Sequence, residues 1–144
     1  MSNTILFICT GNYYRSRFAE IMFNYLAKEH QLGIKAHSKG LKLWDGNVGP
    51  LSKHTIAYME TIGIDINEQL RFPIPVEEID FLINNRIIAM DEKEHRNLMS
   101  QLFPTYEQAI EYWSFADDYI EDPAEVLPKL EKKITALVMA LKNA

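Results

Sequence analysis

The chain has 144 residues, a length that fits a single domain over residues 1–144. Of these residues, 47% are hydrophobic and 24% are charged, and this composition excludes a disordered chain. Its net charge of −5 argues against a nucleic-acid partner, because a phosphate backbone requires a basic surface. No apolar run approaches the roughly 18 residues that cross a bilayer, so we expect no membrane partner. The start lacks the basic region of a signal peptide, and the chain has only one cysteine. We therefore expect a cytoplasmic protein.

The first predicted elements are a buried strand and an amphipathic helix. Residues 4–8 form a short, β-rich apolar run. Apolar side chains then recur at helical spacing, at Phe18, Ile21, Met22, Tyr25 and Leu26. Cys9 begins the loop between these two elements.

Strands and helices continue to alternate along the chain. Further strands are predicted at residues 34–38, 86–90 and 110–115. Helices are predicted near residues 51–61 and 76–82, from Asp91 to about Gln101, and after Pro123. This alternation predicts a three-layer α/β fold in which a four-stranded parallel sheet carries helices on both faces. Ligands of such sheets bind beyond the carboxyl ends of the strands, where Cys9 lies.

The loop after the first strand has the spacing of an anion-binding site. Five residues separate Cys9 from Arg15, so the loop can close on one tetrahedral oxyanion at the start of a helix, where free N–H groups favour negative charge. Gly11 allows close backbone approach, and Asn12 tolerates the left-handed conformations that a nest of amides needs. The predicted phosphate-binding loop comprises Thr10, Gly11, Asn12, Tyr13, Tyr14 and Ser16. Its amides and Arg15 would favour the thiolate form of Cys9.

The residues from Ile5 to Glu20, Ile-Leu-Phe-Ile-Cys-Thr-Gly-Asn-Tyr-Tyr-Arg-Ser-Arg-Phe-Ala-Glu, resemble the amino-terminal signature of the low-molecular-weight protein tyrosine phosphatases. Residues 38–40 resemble the Ser-x-Gly turn of that family, residues 87–91 its third-strand signature, and residues 120–123 its acid loop. The resemblance implies a phosphotyrosine phosphatase I-like fold and hydrolysis of phosphomonoesters through a phosphocysteine intermediate on Cys9.

The resemblance also implies roles for individual residues. Arg15 would bind the phosphate, and Asp122, which precedes a proline, would act as the general acid and base. Ser38 would support the loop. Asp117 and Asp118 are rival acids, although their positions also suit a polar turn or a helix cap.

Two aromatic residues are candidates for substrate contact. Tyr13 and Trp44 would wall a cleft and stack on a flat aromatic leaving group, although ordinary packing would explain either residue as well. The expected partner is therefore a phosphotyrosine-containing protein or a small aryl phosphate, and we expect the enzyme to be a monomer.

The remaining polar residues suggest no second site. The four histidines, at positions 30, 37, 54 and 95, have no metal-ligand spacing with Cys9, so we expect neither a metal nor another cofactor. The charged run Glu92–Arg96 is predicted to be a solvated helix face.

Two other functions remain open. Thioredoxin-coupled arsenate reductases share the fold and resemble this chain at the anion loop, but they relay oxidation through further cysteines and Cys9 stands alone. A phosphate-binding module that is weak or inactive as an enzyme would also fit. The acid loop is short, and Ala124 and Glu125 follow it where the family commonly has aromatic residues.

Overall fold

Four parallel strands form one sheet in the computed structural model of the chain, which describes residues 3–144. They are β1 (Thr4–Cys9), β2 (Lys35–Gly40), β3 (Arg86–Ala89) and β4 (Glu111–Tyr112), and their spatial order is β2-β1-β3-β4. Every neighbouring pair is parallel. Because β1 lies between β2 and β3, it has a partner on each side. A central parallel strand is buried on both faces, which explains the continuous apolar run in its sequence.

Over the described part of the chain, five helices surround the sheet: α1 (Arg15–Glu29), α2 (Lys53–Thr61), α3 (Asp80–Ile83), α4 (Glu92–Leu102) and α5 (Pro123–Lys142). The helix predicted near residues 76–82 begins late, because the Asp80 carboxylate accepts the backbone N–H of Glu77 at 2.8 Å and closes a turn there. Within residues 3–144, no helix combines the length and the apolar surface needed to cross a bilayer.

The side chains of β1 alternate between two hydrophobic cores. Ile5 and Phe7 lie in a core shared with α1, α2 and α5, whereas Leu6 and Ile8 lie in a second core with α3 and α4. Because strand side chains have a period of two, one central strand anchors a helical layer on each face. The predicted three-layer α/β fold with a parallel sheet is confirmed.

The fourth strand is shorter than the sequence predicts. Its ladder spans two residues, Glu111–Tyr112, instead of residues 110–115. Beyond it, the backbone N–H groups of Trp113 and Phe115 donate hydrogen bonds at 2.8 Å to the carbonyls of Ala89 and of Met90, which follows β3. The next bridge, between Asp91 and Ser114, is antiparallel. The aromatic residues after β4 therefore lead the chain along the carboxyl edge of the sheet instead of extending it.

That edge brings the ends of β1 and β2 into close contact. Gly40, the last residue of β2, pairs with Cys9, the last residue of β1. A Cβ atom at Gly40 would lie only 2.7 Å from the carbonyl oxygen of Thr10. Only glycine lets the loop after β1 pass this close to the neighbouring strand.

Candidate active site

Cys9 lies at the start of a loop, residues 10–14, that leads directly into α1. Its side chain is buried, with 2% of the residue exposed, and its Sγ lies 2.9 Å from the hydroxyl oxygen of Ser16 in the first turn of α1. Among the hydrogen bonds of residues 3–144, none is donated by the backbone N–H groups of residues 11–14. Consecutive loop amides near the sulfur are therefore available to a bound anion.

Asn12 fixes the shape of this loop. Its φ of 51° is left-handed, a conformation that Gly11 does not adopt and that asparagine tolerates better than most residues. Its side-chain amide donates to the hydroxyl oxygens of Ser16 and Ser38, each at 2.9 Å. Because the Ser16 oxygen accepts this bond, its own proton is free to point at the sulfur of Cys9.

The support of the loop is completed by two charged residues, Arg71 and Glu20, for which the sequence predicts no role. Arg71 donates from Nη1 to Oδ1 of Asn12 at 3.0 Å and from Nη2 to the carbonyl oxygen of Ser38 at 2.9 Å. Glu20 in α1 accepts a bond from the Ser38 hydroxyl at 2.7 Å and pairs with Arg71 at 3.2 Å. Arg71 lies 59 positions from Asn12, so no local pattern could reveal it. Glu20 lies one turn after Ser16 on α1, which is a weak signal.

Arg15 is buried, with 2% of the residue exposed, but its hydrogen-bonding capacity is only partly used. Glu94 holds it with both carboxylate oxygens, through Nη1–Oε1 at 3.0 Å and Nη2–Oε2 at 2.8 Å. Nη1 also donates to the carbonyl oxygen of Phe115 at 2.9 Å. Nε has no hydrogen-bond partner among the described residues. The Nε–Nη2 edge of the guanidinium therefore keeps donors for two oxygens of an anion.

Glu94 is itself fixed as a carboxylate. The Thr10 hydroxyl donates to it, and Nε2 of His95 lies 3.1 Å from its Oε2. Nδ1 of His95 accepts the backbone N–H of Asp91 at 3.0 Å, so Nε2 carries the proton of the neutral ring. Burial by itself would raise the pKa of Glu94, but hydrogen bonds from His95 and Arg15 hold that pKa well below its usual range.

The prediction of a solvated helix face over Glu92–Arg96 is wrong for two of its residues. His95 is fully buried and the Glu94 side chain is 19% exposed. The first turn of α4 lies against the loop after β1, and the charge pattern within a helix does not show what that helix packs against.

A cleft of about 600 Å³ opens over the loop, a size typical of small-molecule sites. Both predicted aromatic residues line it: Tyr13, whose hydroxyl donates to the Val48 carbonyl at 2.5 Å, and Trp44, which is 68% exposed. Tyr119, which sequence reasoning did not single out, is a third aromatic wall. The cleft also contacts the predicted residues Cys9, Thr10, Gly11, Tyr14 and Arg15.

The three candidate acids occupy different positions. Asp117 and Asp118 line the cleft, and Oδ2 of Asp117 lies 3.5 Å from Nη2 of Arg15. Asp122 is not among the lining residues; it is the N-cap of α5 and accepts the backbone N–H of Ala124 at 3.0 Å. Asp122 as the general acid therefore stays a prediction, and the cleft itself is lined by the two rival aspartates. An aspartate followed by proline is also a favoured start of a helix, and that role explains the pair here.

Comparison with known proteins agrees with this geometry. A family model described as low molecular weight phosphotyrosine protein phosphatase matches residues 4–144. No significant match is found among curated protein sequences.

Similar solved structures span nearly the whole chain. YfkJ from Bacillus subtilis has 23% identity and a TM-score of 0.85, over 99% of this chain and 96% of that one. The low molecular weight protein tyrosine phosphatase of T. tengcongensis has 26% identity and a TM-score of 0.75, over 97% of each chain. YwlE of Bacillus subtilis, described as an arginine phosphatase, has 19% identity and a TM-score of 0.79, over 96% of this chain and 95% of that one. The resemblance first noted around Cys9 is thereby confirmed, and the chain belongs to the low molecular weight phosphotyrosine protein phosphatase family of cysteine-dependent phosphatases.

Proposed function

We propose that this phosphatase hydrolyses aryl phosphomonoesters, above all phosphotyrosine, through a phosphocysteine intermediate on Cys9. The observation that carries the proposal is the guanidinium of Arg15, which is buried and clamped on one edge by Glu94 while its Nε has no partner among residues 3–144. A buried donor of this kind, beside a cysteine and a row of unused amides, suits a phosphate group.

In the first step, the Cys9 thiolate attacks phosphorus in line with the leaving oxygen. A sulfur–phosphorus bond forms while the bond from phosphorus to the leaving phenoxide breaks. The Ser16 hydroxyl, at 2.9 Å from Sγ, stabilises the sulfur anion before the attack. Arg15 and the loop amides bind the equatorial oxygens and stabilise the charge that develops on them.

Asp117 acts as the general acid in this proposal. It lines the cleft and lies 3.5 Å from the edge of Arg15 that a phosphate would occupy, so its carboxyl group would flank the leaving oxygen. Asp118 turns instead toward His54, with 3.9 Å between Oδ2 and Nε2, and Asp122 caps α5. Asp117 gives its proton to the leaving phenoxide.

The second step frees the enzyme. A water molecule attacks the phosphorus of the phosphocysteine and transfers a proton to the Asp117 carboxylate. The phosphorus–sulfur bond breaks, its electron pair returns to Cys9 as thiolate, and inorganic phosphate is released.

The walls of the cleft support an aromatic substrate. Tyr13, Trp44 and Tyr119 place three rings around the opening, where a phenyl leaving group could stack. The sulfur is buried at the base of the loop, so a long aryl group reaches it more easily than a short seryl side chain.

Hydrolysis rates of p-nitrophenyl phosphate, a phosphotyrosine peptide and the matching phosphoserine peptide test the proposal. We expect the first two substrates to be hydrolysed, the third to be much slower, and vanadate to inhibit competitively. If vanadate binds but none of the substrates is hydrolysed, the chain is a phosphate-binding module and the proposal is wrong.

A second substrate class has one observation in its favour. The similar protein YwlE is described as an arginine phosphatase, and here Asp117 and Asp118 stand side by side in the cleft, where carboxylates could pair with a guanidinium. Phosphoarginine therefore belongs in the same assay. If kcat/KM is higher for phosphoarginine than for phosphotyrosine, the assignment moves to that class.

Glu94→Gln should weaken oxyanion binding by positioning Arg15 less well. A glutamine amide presents one N–H group to the guanidinium and keeps only one acceptor, so one charge-assisted bond is lost. We expect the inhibition constant of vanadate to rise by roughly tenfold or more, the size expected for a hydrogen bond between charged groups.

Glu92→Gln is the matched control for this variant. Glu92 lies on the same helix and binds Arg96 at 3.0 Å on the exposed face. Vanadate inhibition should be unchanged there. Equal or tighter vanadate binding in Glu94→Gln would mean that Glu94 does not orient Arg15 for the anion.

A further inference from the structure

Tyr14, the last loop residue before α1, carries a buried hydroxyl that the structure leaves without a partner. The residue is 4% exposed, and among residues 3–144 its hydroxyl oxygen has no hydrogen-bond partner. A buried hydroxyl without a partner is unfavourable, because it loses its bonds to water and gains none. Arg15 Nε is also without a partner in that range, but the proposed phosphate accounts for it, whereas the Tyr14 hydroxyl still calls for an explanation.

The surroundings of Tyr14 indicate which acceptor could serve it. The ring meets the ring of His54 edge-on, with 6.1 Å between centroids, and His54 lies 3.9 Å from the carboxylate of Asp118. Tyr14 and Asp118 line the same cleft. Burial and the negative charge of Asp118 raise the pKa of Tyr14 well above its ordinary value, so its hydroxyl keeps its proton and can donate.

A protein acceptor is favoured, because the hydroxyl oxygen is buried and Tyr14 shares the cleft with a carboxylate whose charge acts on it. Asp118 belongs to the segment after β4 that also carries Asp117. Oδ2 of Asp117 lies 3.5 Å from Nη2 of Arg15, at the edge where a phosphate would compete with it, so the segment would need another contact to keep Asp117 in place.

We propose that Tyr14 is a positioning residue for the reaction proposed above: with substrate bound, its hydroxyl donates a hydrogen bond to Asp118 and so fixes the segment that presents Asp117 to the leaving group. The inference rests on the proposed function. Tyr14 does not touch the reacting atoms in this role; it acts through the acid.

Tyr14→Phe tests the inference because it removes the hydroxyl and keeps the ring. We expect kcat for phenyl phosphate to fall roughly two- to tenfold, the size of one hydrogen bond, while the vanadate inhibition constant stays unchanged. The fall should be smaller for p-nitrophenyl phosphate, whose leaving group needs less protonation. A purely structural defect would affect both substrates alike. Equal kcat in the variant and the parent enzyme, or equal losses on both substrates, would overturn the inference.

Two further variants make the test specific. In an Asp118→Ala background, Tyr14→Phe should cause no additional loss, since the two residues act as one unit. If the full loss persists in that background, the hydroxyl does not act through Asp118. Tyr58→Phe is the matched control: its hydroxyl binds Glu131 at 2.6 Å outside the cleft, so catalysis should not change.

The failure of this inference differs from the failure of the proposed function. If the parent enzyme hydrolyses none of the aryl phosphates, the proposed function is wrong. If the parent enzyme is active and Tyr14→Phe matches it on both substrates, only the role of Tyr14 is wrong.

Discussion

Cys9→Ser should reduce hydrolysis of p-nitrophenyl phosphate to the uncatalysed background. A serine hydroxyl at this position remains protonated near neutral pH, and the Ser16 hydroxyl, 2.9 Å from the sulfur of the parent enzyme, does not act as a base. The nucleophile is therefore lost, while the oxyanion donors of Arg15 and the loop remain. Initial rates measured at saturating substrate give the result directly.

Two measurements show that such a loss is chemical and not a failure to fold. Phosphate should still raise the unfolding temperature of Cys9→Ser, because a ligand that binds only the native state stabilises it. Rapid quenching with radiolabelled substrate should give a covalently labelled parent enzyme. Activity near the parental level in Cys9→Ser would remove Cys9 from the mechanism.

Asp117→Asn should lower kcat for phenyl phosphate by about 10²–10⁴, the usual contribution of general acid–base catalysis. An amide cannot give a proton to the phenoxide or accept one from the attacking water. The loss should be smaller for p-nitrophenyl phosphate in the first step, because nitrophenolate leaves without help.

Asp122→Asn is the matched control for that variant, since it makes the same chemical change five residues later. Asparagine caps helices about as well as aspartate, so neither kcat nor the free energy of unfolding should change much. If Asp122→Asn slows the reaction and Asp117→Asn does not, the acid is Asp122, as the sequence first suggested. If only Asp118→Asn slows it to this degree, the acid is the neighbouring residue.

The central part of the site could be predicted because it is local. Cys9, the loop and the start of α1 follow each other within a few residues, and the strand before and the helix after have clear periodic patterns. The same locality explains the correct expectation of a parallel sheet, whose carboxyl edge gathers these residues.

Which aspartates line the cleft could not be predicted in the same way, because their position depends on where the chain goes after β4. The ladder ends at Tyr112, and the following residues run along the edge of the sheet until the Phe115 carbonyl meets Arg15. That path brings Asp117 to the cleft. Asp122 had the more familiar local sequence, but capping α5 accounts for it.

Glu94 and Arg71 could not be predicted either, because their partners lie far away in the sequence. Both are charged residues that bury their functional groups against partners far away along the chain: Glu94 meets Arg15 across 79 positions and Arg71 meets Asn12 across 59. Charge by itself predicts solvent exposure. Only the tertiary arrangement shows that each one satisfies a buried polar group.

The presence of a single cysteine also affects how the protein recovers from oxidation of Cys9. Cys9 is the only cysteine of this chain, and Tyr14 is the last residue of the loop that follows it. A sulfenic acid formed there by peroxide has no sulfur of its own chain to condense with, so its rescue depends on a small external thiol entering the cleft before a second oxidation. A second peroxide and an external thiol then compete for each oxidised molecule.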